Sequence, residues 1–152
     1  MASPPDDQLA ALGRVIVLAS LLEWDLMMLS EAACSISDGE ALELLKSRVK
    51  LIRAAKESLK LFSEKLKLPD FLEHKEFFKR VDDAFLDRDQ VAHGIYLFDE
   101  SGHGVFYHPR SKEAIDLNLA HLQTLAMTLD NLSAETVPMT KIINDRKKEL
   151  NS

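Results

Sequence analysis

The apolar positions of this chain recur at spacings of three, four and seven, as they do on one face of an α-helix. Between Leu9 and Leu29 nearly every position is apolar, which predicts a first helix from Asp6 or Asp7 to about Ala33. A helix that is apolar all round needs partners on several sides. We therefore expect it to be the central helix of a small domain or to be shared with a second subunit.

A second helix is predicted to begin at Ser37-Asp38-Gly39-Glu40, where a polar cap is followed by an acidic first turn. Its apolar residues recur at helical spacing and define a buried face: Leu45, Val49, Ile52, Leu59, Phe62 and Leu66. Beside this face, the same spacing aligns a set of cations that we call the basic stripe: Lys46, Lys50, Arg53, Lys56 and Lys60. The basic stripe is a candidate to follow an RNA backbone. A solvated face that balances the acidic remainder of the chain is the alternative.

A third helix is predicted to begin at Leu68-Pro69-Asp70 and to stop at Gly94. Its buried face comprises Phe71, Phe78, Val81, Phe85 and Ala92. The pattern then changes to two short runs of β-branched, aromatic and leucine residues, 95–98 and 105–107, on either side of a polar turn. These runs predict a short β-hairpin.

A fourth, leucine-rich helix follows, with Asp116 as its cap. Its core edge comprises Leu119, Leu122, Leu125, Leu129 and Leu132. Pro138 is expected to break or kink this helix, before a polar helix from Thr140 to Leu150. The elements together predict an all-α fold of four to five helices, with a short β-hairpin insertion at about 95–107.

Length and composition narrow the class of protein. A chain of 152 residues fits one domain, so we expect 1–152 to form a single helical domain. One cysteine, Cys34, excludes an intrachain disulfide and a cysteine-only metal cage. The N-terminus lacks the features of a signal peptide, and no run of about 18 uncharged apolar residues occurs. These features predict a cytoplasmic protein without a membrane partner.

The formal net charge of −6 is distributed unevenly. Residues 1–45 carry 8 acidic and 1 basic residue, residues 46–67 carry 2 acidic and 8 basic, and residues 68–152 carry 15 acidic and 10 basic. The total excludes a broadly basic surface for nucleic acid. It leaves room for a small site, because one segment of 22 residues has a net charge of +6.

Arg88 is an unexpected residue on the third helix. It continues the apolar stripe of Phe78, Val81 and Phe85, where a charged side chain must be paired, reach solvent or line a cleft. Its planar guanidinium stays protonated and fits the oxygens of a phosphate. Arg88 is therefore a candidate for holding a phosphodiester.

His93 follows five residues after Arg88, beside Gly94. Histidine can take up and return a proton near neutrality, and a fixed cation beside it can hold phosphate charge. The alternative is structural, with Arg88 paired to nearby aspartates and His93 capping the end of the helix. Residues five apart on a helix point about 140° from each other. The two can meet only if the helix unwinds near Gly94 or if a second subunit brings its copies to a shared cleft.

The segment Arg88-Asp89-Gln90-Val91-Ala92-His93-Gly94 resembles the Arg-x(4–6)-His motif of the HEPN superfamily, in the form Arg-polar-x-x-Ala-His-Gly. The order of the elements is similar as well. It has a long apolar first helix with an internal acidic residue, Glu23, then an intermediate helix, the motif at a helix end, and a closing leucine-rich helix. The resemblance covers about residues 8–135 as a pattern.

This resemblance implies a small helical bundle that forms a homodimer, with the motifs of both protomers facing one another in a cleft. Members of the superfamily include metal-independent endoribonucleases of toxin–antitoxin, anti-phage and CRISPR-linked systems. By analogy, Arg88 would bind and polarise the scissile phosphate of RNA, and His93 would serve as the acid and base. The RNA 2′-hydroxyl would attack and leave a cyclic phosphate, and an antitoxin protein would be a further partner.

Two positions depart from the pattern of the superfamily. The polar residue after the arginine is often Asn but is Asp89 here, and its charge would weaken the field at a phosphate site. Toxins paired with a minimal nucleotidyltransferase antitoxin often have His-x-Tyr, whereas His93-Gly94-Ile95-Tyr96 is one residue longer. The role of the antitoxin-modified tyrosine therefore does not transfer directly to Tyr96.

Several further residues could carry chemistry. Glu23 could pair with Arg88 and orient it, pair with Arg14 or face water. The histidines 93, 103 and 108 match no compact pattern of metal ligands, and no glycine-rich phosphate loop occurs, so we expect neither a metal nor a cofactor. Cys34 has no nearby histidine or cation in sequence to activate it.

Three functions are compatible with the sequence. The first is a dimeric endoribonuclease that acts as a toxin or phage-defence effector. The second is a catalytically inert HEPN-like helical dimer that binds RNA, a nucleotide or a partner protein. The third is a plain helical dimer with a structural role.

Overall fold

The computed structural model describes residues 4–34, 37–66, 75–98, 104–107, 114–115 and 119–150. Within these ranges the elements are α1 (Asp6–Cys34), α2 (Asp38–Leu44), α3 (Arg48–Leu66), α4 (Lys75–Ala92), β1 (Ile95–Phe98), β2 (Gly104–Tyr107), β3 (Ala114–Ile115) and α5 (Leu119–Leu150). The prediction of a mainly helical chain with a small β-hairpin is confirmed. The HEPN type, the single domain and the dimer stay predictions.

Helix α1 begins and ends where the sequence pattern places it. Asp6 and Asp7 lie in its first turn, where negative charge is favourable at a helix N-terminus. The Asp7 carboxylate accepts a hydrogen bond of 2.8 Å from the backbone N–H of Gln8. The first backbone bond of the helix joins the N–H of Leu9 to the carbonyl of Pro5 at 3.0 Å.

The single second helix expected from the sequence is wrong, because the chain forms two helices there. Ser37 caps α2 as predicted, accepting a hydrogen bond of 3.2 Å from the N–H of Glu40. At the end of α2, the N–H groups of Leu45 and Lys46 each bond the carbonyl three residues earlier, which tightens the last turn. Ser47 then starts α3, because its hydroxyl accepts a hydrogen bond of 3.4 Å from the N–H of Lys50.

The buried face of α3 also differs from the prediction. Val49 is 68% exposed, whereas the residues that turn inward are Leu51, Ile52, Ala55 and Ser58. These four lie on one side of the helix, and Val49 lies on the other. The expected face was traced through large apolar residues and so passed over Ala55, which is fully buried. The side chains of Leu59, Phe62 and Leu66 lie outside the described residues.

Helix α4 and the sheet follow the predicted order. Phe78, Val81 and Phe85 are buried on α4, which ends at Ala92, two residues before Gly94. The predicted start at 68–70 and Phe71 lie outside the described residues. Strands β1 and β2 pair antiparallel, with Ile95 opposite Tyr107 and Phe98 opposite Gly104. The two-residue strand β3 pairs antiparallel with β2 and was not expected from the sequence.

Helix α5 continues through Pro138, so of the break or kink expected there the break does not occur. Leu122, Leu125, Leu129 and Leu132 are buried as predicted, and Leu119 is half-buried. Proline lacks an N–H, so the carbonyl of Ala134 loses its helical partner. Both Pro138 and Ala134 are exposed, so water can take the place of that bond. Asp116, the expected cap, lies outside the described residues.

The chain divides into two compact units, each with its own buried side chains. The first unit comprises Met1–Ala19 and Val81–Asp130. Its core is formed by parts of α1, α4 and α5, and comprises Val15, Ala19, Val81, Ala84, Phe85, Val91, Leu122, Leu125, Ala126 and Leu129.

The second unit comprises Ser20–Arg80 and Asn131–Ser152. Its buried side chains include Leu22, Leu26, Leu29, Leu51, Ala55, Phe77, Phe78, Leu132 and Ile143. The buried hydroxyls of Ser30, Ser58 and Thr136 donate to carbonyls of the preceding turn, so their burial leaves no unpaired hydroxyl donor. No helix in the described ranges combines the length and apolar character needed to cross a membrane.

Candidate functional site

Arg88, the arginine of the predicted motif, lies in the last two turns of α4 and belongs to the first unit. Its side chain is 17% exposed, and its Nη1 donates a hydrogen bond of 2.9 Å to Oδ1 of Asp89. Its Nε is buried and has no hydrogen-bond partner among the described residues. An unpaired buried donor costs about 1–3 kcal/mol, so this nitrogen calls for an explanation.

His93 is the first residue after α4. Its backbone N–H donates a hydrogen bond of 3.0 Å to the carbonyl of Asp89, so helical bonding continues up to the motif histidine. Its side chain is exposed and forms no hydrogen bond with another residue of the described ranges. The helix therefore does not unwind between the two motif residues, and on a continuous helix residues five apart point about 140° from each other.

Asp89 forms a hydrogen bond with each of the two motif residues, Arg88 and His93. Its carboxylate holds Arg88 and its carbonyl holds the backbone of His93. Its side chain is 34% exposed, so solvent or a ligand can reach the carboxylate. Asp89 therefore acts on the charge of Arg88 through a direct ion pair.

Tyr96 lies on β1 and is half-buried. A side-chain carbon on Gly104, on the neighbouring strand, would collide with the Tyr96 ring and hydroxyl. The ring therefore occupies the space that the glycine leaves open on the face of the sheet. This packing gives Tyr96 a structural role in the first unit, whatever its chemistry.

Glu23 lies in the second unit and has a partner that the sequence did not suggest. Its Oε1 is 3.4 Å from Nε of Arg48, with the two side chains 22% and 25% exposed. Arg48 is not among the three alternatives that the sequence offered for Glu23, which were Arg88, Arg14 and water. Arg48 belongs to the basic segment 46–67, so a cation in this region was visible in the sequence. It does not follow the regular spacing of the basic stripe.

The basic stripe is exposed on the second unit, but only four of its five residues lie on the same helix. Lys46 lies in the turn before α3 and pairs with Glu43 at 2.7 Å. The four that lie on α3 are Lys50, Arg53, Lys56 and Lys60, all exposed. The ammonium of Lys56 lies 5.8 Å from the centre of the Phe78 ring, a cation–π distance. The stripe thus remains a solvent-facing row of cations.

A second ionisable pair in the first unit was missed at the sequence level. Nε2 of His121, on α5, is 3.0 Å from Oδ1 of Asp87, on α4. Asp87 directly precedes Arg88 in the sequence, but its carboxylate pairs with His121, whereas the Asp89 carboxylate pairs with Arg88. The sequence showed the crowding of aspartates but not that a histidine 34 residues away would bind one of them.

The first unit also contains an open groove of about 710 Å³ between α1 and α5. Small apolar residues form its floor, and Asp7, Arg14 and Asp130 add charge. Neither Arg88 nor His93 lines it. The groove and the motif are therefore separate features of this unit.

Metal-ligating side chains are dispersed in the part of the chain that the structure describes. No group of three or more His, Cys, Asp and Glu residues able to hold a metal ion occurs there. His103, His108 and the side chain of Cys34 lie outside the described residues.

Comparison with known proteins adds no assignment. No protein-family model matches the chain, and no curated protein or solved structure is significantly similar to it. Function must therefore be argued from the motif and its surroundings.

Proposed function

We propose that this protein is a HEPN-like endoribonuclease that cleaves RNA without a metal ion, as a homodimer acting as a toxin or phage-defence effector. The observation that carries the proposal is Arg88, a largely buried arginine whose buried Nε has no partner within the described ranges, five residues before an exposed histidine. Stable folds seldom leave such a donor unsatisfied, and each exception calls for an explanation. A phosphate oxygen is an acceptor that a guanidinium fork suits.

The proposed reaction uses one proton carrier and one fixed cation. A base takes the proton of the RNA 2′-hydroxyl, the 2′-oxygen forms a bond to phosphorus, and the bond from phosphorus to the 5′-oxygen breaks. The leaving 5′-oxygen receives a proton, and a 2′,3′-cyclic phosphate remains. His93 is the proton carrier, and Arg88 holds the charge that develops on the phosphate oxygens.

Because Arg88 and His93 diverge on one chain, the proposal needs the second protomer. In a homodimer, the arginine of one protomer and the histidine of the other can approach the same phosphate. An exposed His93 is compatible with this arrangement, since its ring is not occupied by its own chain. An antitoxin that covers the motif would be the matching protein partner.

The basic stripe supports RNA as the ligand class. Lys50, Arg53 and Lys60 are exposed on α3 and are aligned by helical spacing, which allows successive contacts with a phosphate backbone. No aromatic residue lies between Lys50 and Lys60, so the row provides no platform on which bases could stack. Contacts of this kind add affinity without selecting a base sequence.

The inert alternative is favoured by one observation, the ion pair of Arg88 with Asp89. A carboxylate that already neutralises the cation competes with phosphate. In this second candidate function the domain binds RNA, a nucleotide or a partner protein and does not cleave.

The test is cleavage of a labelled RNA by the purified protein in EDTA. Arg88→Ala and His93→Ala should each lower the rate by about 100-fold or more, as expected for loss of charge stabilisation or of an acid–base group. Arg146→Ala is the matched control, because Arg146 is exposed and pairs with Glu149 within its own helix. Circular dichroism verifies that each variant is folded.

If the parent protein cuts no RNA, the proposal that it is an endoribonuclease is contradicted. RNA binding without cleavage, weakened by Lys50→Ala and Arg53→Ala, would support the inert candidate. Equal cleavage by the parent and both motif variants would show that the activity belongs to a contaminant or another site.

A further inference from the structure

The open groove of about 710 Å³ between α1 and α5 is lined entirely by residues of the first unit. Helix α1 contributes a single face, since the lining positions recur at intervals of three, four and seven: Asp7, Ala10, Ala11 and Arg14. On α5 the lining residues extend from Leu119 to Asp130, which are roughly 16 Å apart along the helix axis at 1.5 Å per residue. The groove is therefore elongated and about as long as three turns of a helix.

The floor of the groove is formed by small side chains. Ala10 and Ala11 lie on α1, and Ala126, on α5, is buried. The distance between packed helices depends on the size of the side chains at their contact, so alanines allow a further helix to approach closely. Met127 also lines the groove and is 62% exposed, and its flexible thioether can adapt to the shape of a partner. The lining thus suits the apolar face of an added helix.

The charged residues of the groove are available to a partner. Within the described ranges, the side chains of Arg14 and Asp130 form no ion pair and no hydrogen bond, and both are exposed. The Asp7 carboxylate accepts the N–H of its own neighbour, Gln8. Two carboxylates make the groove unsuitable for a polyanion such as RNA, and the guanidinium makes it unsuitable for a polycation. The groove therefore matches a partner that carries both signs of charge.

We propose that the groove binds an amphipathic helix of a partner protein. Such a helix lays apolar residues, spaced by three and four positions, into an apolar groove. Asp7 and Arg14 are seven residues apart and so lie roughly 10 Å apart along one face of α1. A partner helix with a basic residue opposite Asp7 brings its seventh following residue near Arg14, because seven residues complete about two turns. The partner is therefore a helix with a basic and an acidic residue seven positions apart and apolar residues between them.

This docking site is separate from the proposed ribonuclease site, because neither Arg88 nor His93 lines the groove. The two ion pairs would be exposed, so they contribute little affinity and act mainly on the choice of partner. The apolar contact with the alanine floor supplies the affinity. A single reversal of charge in the groove is therefore expected to change which helix is preferred.

The test uses two fluorescent, alanine-rich peptides of about 20 residues, which is long enough for a helix to form. Both carry a lysine, leucines three and four positions later, and a charged residue at the seventh position, which is Glu in the first peptide and Lys in the second. Fluorescence anisotropy should show that the parent binds the Glu peptide several-fold more tightly, whereas Arg14→Glu prefers the Lys peptide. Arg146→Glu is the matched control, because it makes the same change of charge at an exposed arginine of the second unit, and it should keep the preference of the parent.

Ala10→Trp tests the floor of the groove, since a large ring at this exposed position would fill the groove without entering the core. It should lower the affinity for the Glu peptide by about tenfold or more. Ala120→Trp, at an exposed position of α5 that does not line the groove, should bind as the parent does.

Absence of peptide binding by the parent, an unchanged preference in Arg14→Glu, or full affinity in Ala10→Trp would each overturn the proposal. A halved mass of Arg14→Glu in solution would overturn it as well, because a second copy of the chain would then occupy the groove. Arg88→Ala should bind both peptides as the parent does, so a failure of the ribonuclease proposal is distinguished from a failure of this one.

Discussion

Nη1 of Arg88 donates to Oδ1 of Asp89 at 2.9 Å, and this contact joins two neighbouring residues of the predicted motif. The same Asp89 accepts the backbone N–H of His93 through its carbonyl at 3.0 Å. The pair explains how an arginine sits on the apolar side of α4. In the proposed reaction, the Asp89 carboxylate would compete with the RNA phosphate for the Arg88 guanidinium.

Asp89→Asn is therefore expected to increase RNA cleavage, by several-fold to about tenfold. Asparagine keeps an oxygen that can accept the Arg88 bond but removes the charge that competes with phosphate. The measurement is the initial rate of cleavage in EDTA. Asp83→Asn serves as the control, since Asp83 is an exposed aspartate of the same helix, and it should leave the rate unchanged. A slower Asp89→Asn enzyme would mean that the Asp89 charge assists the reaction.

Glu31→Gln should stabilise the protein at neutral pH and not in acid. A hydrogen bond to Asp38, with smaller contributions from desolvation and charge repulsion, raises the pKa of Glu31 above its usual value of 4.5. A raised pKa means that the folded state favours the protonated carboxyl, so this stabilisation is present below pH 4.5 and is lost as the pH rises through the folded pKa.

Above its pKa, Glu31 carries a charge that Asp38 repels, whereas glutamine keeps an N–H donor without the charge. Thermal unfolding of the parent and of Glu31→Gln at pH 7 and at about pH 4 measures the difference. The midpoint of the variant should be higher at pH 7, and the two should converge in acid. A gap that widens on acidification would contradict the assigned pairing.

Gly104→Ala should destabilise the sheet in the first unit. The added carbon would overlap the ring of Tyr96 on the neighbouring strand, so Tyr96 has to move or the strands have to separate. A loss of about 1–3 kcal/mol in the free energy of unfolding is expected. Gly39→Ala is the control, because its nearest neighbour is Ser37 Oγ at 4.0 Å, and it should be neutral or stabilising. Equal stability of Gly104→Ala and the parent would refute the packing of Tyr96 on Gly104.

The orientation of α3 can be checked with two truncations. Leu51 is fully buried and Val49 is 68% exposed. Leu51→Ala should cost about 2–5 kcal/mol in the free energy of unfolding, because it leaves a cavity in the core of the second unit. Val49→Ala should change it by less than about 0.5 kcal/mol. Urea unfolding measures both free energies. A larger loss for Val49→Ala than for Leu51→Ala would show that Val49 lies on the buried face of α3, as the sequence pattern predicted.

Local patterns were enough to predict α1, the capped start of α2, the hairpin and the buried leucines of α5. Each depends on residues close in sequence: acidic first-turn residues, Ser37 before Glu40, or leucines at helical spacing. The break at Ser47 was missed because Leu45 and Lys46 are good helix formers. Only the hydroxyl of Ser47, which caps Lys50, signals a new start.

The candidate site was only partly predictable, because its contacts join distant residues. The motif from Arg88 to His93 is visible in the sequence, and so are the three aspartates that surround it. Which carboxylate binds Arg88 depends on the side-chain geometry at the end of α4. The pairs of Glu23 with Arg48 and of Asp87 with His121 depend on packing, which spacing along the chain does not reveal.

Identification of the product end tests the central proposal most directly. An RNA and its fully 2′-O-methylated counterpart would be incubated with the protein in EDTA, and the fragments would be examined for a 2′,3′-cyclic phosphate. The proposal predicts that the RNA is cut to fragments with this end, that the methylated strand stays intact, and that Arg88→Ala and His93→Ala leave the RNA uncut. Uncut RNA with the parent protein, or cleavage of the methylated strand, would contradict it.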